Sequence, residues 1–147
     1  MQVARSGHSM YFLEIVFMFL LLACSAHASI FGGWTGRCGA MIFIGATVLS
    51  NITVRANPDW VSTSYGLFWV DVVCLIALFI LACNSNRFWP IWALGFQTVS
   101  VLAHFATMLA PDILPKAYQA IEAFWSIPIL GVMVAGTAVD WQYDRRV

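Results

Sequence analysis

Apolar residues run along this chain in long stretches separated by short polar or glycine-rich segments, at roughly 10–28, 38–54, 65–82, 89–109 and 119–139. A helix that crosses the hydrocarbon core of a bilayer needs about 20 mostly apolar residues, because that core is about 30 Å thick and the helix rises about 1.5 Å per residue. The pattern therefore predicts an all-α membrane protein: one domain over residues 1–147, a bundle of about five transmembrane helices.

The breaks carry turn chemistry. Gly32, Gly33 and Gly36 separate the first two stretches. Asn57-Pro58-Asp59 precedes the third, where proline suits a turn or a helix start. Asn84-Ser85-Asn86-Arg87 makes a very short connection, with Ser85 or Asn86 as the N-cap of the fourth helix. Pro111 and Pro115 bracket the last connection. Pro128 falls inside the fifth stretch and predicts a kink, since it lacks an N–H and crowds the preceding turn.

With the N-terminus on side A and five spans, the C-terminus lies on side B. Tyr11, Trp60, Tyr65, Tyr118 and Trp125 then fall near side A, and Trp34, Trp89, Trp92, Trp141 and Tyr143 near side B. Two aromatic belts are what the two membrane interfaces favour, because these rings join an apolar body to a wet edge. Arg37, Arg87, Arg145 and Arg146 on side B, against Arg5, Arg55 and Lys116 on side A, lean toward a cytoplasmic C-terminus. A rival exists for the first stretch. Arg5 and His8, an apolar run, and then Ala26-His27-Ala28 outline a cleavable signal peptide, whose removal would leave four spans. Glu14 inside that run argues against it.

Composition agrees with the pattern. The chain is 61% hydrophobic and only 10% charged, against about 25% charged in a soluble domain, and its mean hydropathy is +0.82. So few charges could not cover a water-facing surface. Seven basic residues balance seven acidic ones, with no basic patch to hold nucleic acid. The four cysteines, Cys24, Cys38, Cys74 and Cys83, form no CxxC pair, so neither a disulfide framework nor a zinc site is indicated.

Against this apolar background, the stretch from Gly95 to Met108 carries Gln97, Ser100, His104 and Thr107. At about 100° per residue these four share one narrow stripe of the fourth helix. Lipid offers them no hydrogen bonds, so the stripe should face protein, a partner or water. The short connection makes the third and fourth helices antiparallel neighbours and puts Asp71 level with Ser100, within reach of Ser100 or His104. Asp71 and His104 then lie roughly 7–10 Å below side A, taking about 1.5 Å per residue. Glu14, Glu122, Thr47 and Asn51 fall near the same depth, so polar groups gather in the side-A half while the side-B half holds almost none.

Several readings fit this cluster of Asp71, His104, Ser100, Gln97, Glu14 and Glu122. It can lock helices together, since interhelical hydrogen bonds of this kind contribute about 0.6–2 kcal/mol each. It can be the docking face for a larger membrane complex. It can handle protons or cations, because carboxylates and histidines in membrane helices form relays and ion paths. A Ser–His–Asp arrangement of Ser100, His104 and Asp71 is conceivable, but no glycine-rich loop lies there to stabilise an oxyanion, and no HExxH, GxSxG or P-loop occurs. The chain does not read as an enzyme. No cofactor is called for. His104 and Asp71 are the candidates for a metal, without an enforcing spacing such as HxxxH, and haem would need two copies to supply two His104 ligands. Gly131 and Ala135, four apart, suggest a packing face on the fifth helix, within the chain or toward a second copy. Gly32, Gly36 and Ala40 share that spacing but fall partly in a loop, and so are given little weight.

The stretch "SNRFWPIWALGFQTVSVLAHFATMLAPDILPKAYQAIEAFWSIPIL" resembles small multi-pass inner-membrane proteins of alphaproteobacteria to which no function is assigned. The resemblance covers the C-terminal half and rests on "RFWPIWA", "GFQ", "AHFA" and "FWSIPIL". It implies a bacterial inner membrane and brings no activity or cofactor. The expectation is a small accessory or structural membrane subunit, whose partners are the bilayer and a larger membrane complex or another copy of itself. The alternative is a proton- or cation-handling transporter or channel acting as a homo-oligomer.

Overall fold

The computed structural model describes the backbone at residues 3–56, 60–109 and 115–144, and the side chains at 15–56, 65–109 and 127–143. Over these residues the chain forms α1 (Val3–Phe31), α2 (Gly33–Ala56), α3 (Trp60–Cys83), α4 (Trp89–Leu109) and α5 (Pro115–Asp144), with no strand among them. The fourth helix coincides with its apolar stretch; the others extend beyond theirs. Each helix packs on the next in sequence, and α5 returns to pack on α1 and touch α2, so the helices close into a ring around one core.

Connections are short because single residues do the turning. Between α1 and α2 the break is Gly32 alone, and Gly33, the first residue of α2, adopts a left-handed backbone at φ 57° that other residues adopt only with strain. The Gly32 N–H closes the end of α1 on the Ala28 carbonyl at 2.8 Å. Between α3 and α4, the Ser85 hydroxyl accepts the Arg87 N–H at 3.1 Å, which closes the turn before α4 and does not cap the helix itself. Pro90 then sits in the first turn of α4, where its missing N–H leaves no bond unmade. α5 continues as one helix through Pro128. The Asn57-Pro58-Asp59 segment and Pro111 lie outside the described residues.

The core includes Phe43, Leu78, Ala93, Leu130 and Met133. The outer surface is apolar too: Ile76, Phe79 and Ile80 on α3, and Trp92, Leu102 and Phe105 on α4, are each more than half exposed. Such a surface would aggregate in water. Three helices are long and apolar enough to cross a membrane: α2, the Tyr65–Cys83 part of α3, and α4. α1 adds an apolar run at Ile15–Phe31. The chain is an integral membrane protein.

Three expectations about packing change. Trp89 belongs to no interfacial belt: it is 3% exposed, while Trp34 and Trp92 do present their rings outward. Its ring fits because Gly39 of α2 and Gly136 of α5 leave room; a methyl group on either would collide with it. Gly131 and Ala135 are not an internal packing face, since both are exposed and a methyl on Gly131 would meet nothing within 4 Å. The inward stripe of α5 is Leu130, Met133 and Thr137, which turns 131 and 135 outward. The close approach is instead at the discounted motif. Gly36 and Ala40 are buried in α2, and a methyl on Gly36 would run into the Ala28 carbonyl of α1.

Candidate functional site

The buried stripe of α4 is Trp89, Pro90, Ala93, Gln97, Ser100 and His104. Steps of three and four residues keep one face turned inward, so the polar members follow the apolar ones toward the Leu109 end. Opposite them, α3 presents Asp71. The Gln97 amide donates to Asp71 Oδ1 at 3.1 Å and to the Asp71 main-chain carbonyl at 3.4 Å. The Ser100 hydroxyl donates to Asp71 Oδ2 at 3.2 Å. His104 Nε2 stands 2.9 Å from the same oxygen. That last distance suits an ion pair, but the ring N–H is not aligned as a directed hydrogen bond, so the contact is chiefly electrostatic. It is ionic only with the imidazole protonated.

Both carboxylate oxygens thus have donors from one neighbouring helix. A carboxylate accepts and does not donate, and α4 offers an amide, a hydroxyl and an imidazole in the right register. This is why an acid survives at membrane depth here. Gln97, Ser100 and His104 are 4%, 8% and 3% exposed, and the Asp71 side chain is 23% exposed.

The order of contacts matters chemically. The carboxylate lies between Ser100 and His104, and the Ser100 hydroxyl bonds to it and not to the imidazole. A serine nucleophile needs the histidine in the middle, so the conceivable Ser–His–Asp arrangement is not the one formed. His104 and Asp71 supply two metal donors, and among the described residues no group of three histidine, cysteine or acidic side chains comes together. Glu14 and Glu122 lie on α1 and α5, but their side chains are outside the described residues.

Other members of the expected cluster turn away from it. Thr107 donates to the Ala103 carbonyl of its own helix at 2.8 Å. On α2, Thr47 bonds back to Phe43 and Asn51 back to Thr47, each at 2.9 Å. The side-B half is also more polar than expected. His27 Nδ1 and Thr137 Oγ1 are 3.4 Å apart, linking α1 to α5. Arg87 pairs with Asp140 at 3.5 Å, and Thr35 meets Ser85 at 3.4 Å. Asp140 follows the last residue of its apolar stretch, and Thr137 reads as an ordinary small helix residue, so neither draws notice until α5 is set beside α1 and α4. Between the two polar groups lie buried apolar side chains, Phe43, Leu78, Ala93 and Met133 among them.

Comparison with protein-family models, with curated proteins and with solved structures gives no match to this chain.

Proposed function

We propose that the chain is a small accessory or structural subunit of a bacterial inner-membrane assembly, with the Asp71 cluster acting as an internal lock between α3 and α4. One observation carries the reading: three inward-facing side chains of a single neighbouring helix, Gln97, Ser100 and His104, converge on the Asp71 carboxylate. A carboxylate occupied in this way holds helices in register and leaves little of itself for a substrate. The apolar layer between the two polar groups also speaks for a packed bundle over a conduit. No catalytic role is proposed. On this reading the C-terminus lies on the cytoplasmic side.

Native mass spectrometry of the protein, extracted gently from its own membrane, tests the reading. Recovery with stoichiometric larger subunits is the expected result. Recovery as a bare homo-oligomer carrying a metal ion would turn attention to ion handling. That second reading has its own support, because Asp71 and His104 are titratable, in contact, and unequally exposed at 23% and 4% of their side-chain surface. On it, Asp71→Asn would abolish transport while the fold stayed intact.

A further inference from the structure

Among the described residues, two buried polar side chains of the side-B half have no hydrogen-bond partner. Ser25 of α1 and Trp89 of α4 are each 3% exposed, and neither the Ser25 hydroxyl nor the Trp89 indole N–H meets a hydrogen-bonding atom among the described residues. A buried polar group without a partner is costly, about 1–3 kcal/mol. Two such groups in one small bundle call for an explanation.

Their positions coincide in depth. On α1, the Ala28 carbonyl abuts Gly36 of α2. One turn deeper on each of these antiparallel helices, Ser25 is level with Gly39. Gly39 is the residue against the far edge of the Trp89 ring, with Cζ2 at 3.2 Å from where its Cβ would stand. From the other side, His27 of α1 meets Thr137 of α5, which sets Ser25 within a turn of Gly136. Gly136 supports the near edge of the same ring, with Cδ1 at 3.2 Å from its Cβ position. The indole therefore lies across the layer into which Ser25 turns. Leu21 and Ala28, on either side of Ser25 along the inward face of α1, belong to the same packed cluster as Trp89.

We infer that a single internal water molecule bridges Ser25 and Trp89. It accepts the indole N–H and exchanges a hydrogen bond with the serine hydroxyl, which can donate or accept. Two protein partners meet the minimum that holds a buried water. The bridge joins α1 to α4, helices that otherwise pack on α2 and α5 and on α3 and α5 respectively. It supplies the side-B half with a link across the bundle, where Asp71 links two adjacent helices nearer side A.

Nitrogen-15 labelled protein in lipid nanodiscs tests this. The Trp89 indole proton, assigned with Trp89→Phe, should show cross-relaxation with a water that outlives bulk exchange. Ser25→Ala should abolish that signal and shift the Trp89 indole proton upfield, while the indole protons of the other six tryptophans stay in place. Ser25→Thr, which keeps the hydroxyl, should retain the signal. Absence of the water signal at Trp89 in the unmodified protein would overturn the inference, and so would its persistence in Ser25→Ala. If Ser25→Ala fails to fold, the unmodified protein and Ser25→Thr still decide the matter.

Discussion

Replacing Asp71 by leucine should remove the α3–α4 lock. The bilayer cost of the acid itself, about 2.5–3.5 kcal/mol on insertion scales, largely cancels, because Asp71 sits in the membrane whether or not the helices have assembled. What changes is the partnering of Gln97, Ser100 and His104. Measured interhelical bonds in membranes average about 0.6 kcal/mol and reach about 1.7. Two of them, from Gln97 and Ser100, with about 1 kcal/mol for the electrostatic contact with His104, make a loss of roughly 2–4 kcal/mol. Asp71→Asn behaves differently: its carbonyl still accepts from Gln97, and its amide can donate to a rotated Ser100 hydroxyl. Only the electrostatic contact with His104 weakens, so the loss should be about 1 kcal/mol. Steric-trap unfolding in bicelles resolves these values. The reasoning fails if Asp71→Leu is within about 1 kcal/mol of the parent, or if Asp71→Asn loses as much as Asp71→Leu, which would make charge and not hydrogen bonding the stabilising element.

Further outcomes follow from the same geometry. Gln97→Leu should lose about 1–2 kcal/mol in the parent but distinctly less in an Asp71→Leu background, where only the longer bond to the residue-71 main-chain carbonyl remains, a coupling that a double-mutant cycle reads directly. Gly39→Leu and Gly136→Leu, which drive a side chain into Trp89, should each lose at least about 1–3 kcal/mol, seen as a lower midpoint in thermal unfolding followed by tryptophan fluorescence. Gly131→Leu, on an open face, should stay within about 0.5 kcal/mol in the same assay. Arg87→Met should change stability by no more than about 1 kcal/mol, since the Arg87 and Asp140 side chains keep 33% and 21% of their surface.

The helices were legible because a bilayer imposes a length on each apolar run, and the Asp71 partnership because a five-residue connection fixes the register of two antiparallel helices. Gln97, Ser100 and His104 announce themselves by sharing a helix face in a lipid environment. What the pattern could not give was the rotation of each helix. Gly131 and Ala135 have the spacing of a packing face, yet Leu130, Met133 and Thr137 claim the inside of α5. Trp89 has the position of a belt residue, yet two glycines on other helices make room for it in the core. Thr47, Asn51 and Thr107 share a depth with Asp71, yet their own backbone carbonyls satisfy them. Depth follows from counting along one helix; which face a residue turns inward depends on neighbours distant in sequence.

Proton flux into sealed proteoliposomes is the most direct test of whether the Asp71 cluster is a lock or a relay. The account predicts that the parent protein passes no more protons than empty liposomes, and that Asp71→Asn matches it. A flux in the parent that Asp71→Asn abolishes, with helical content and oligomeric state unchanged, would contradict the account.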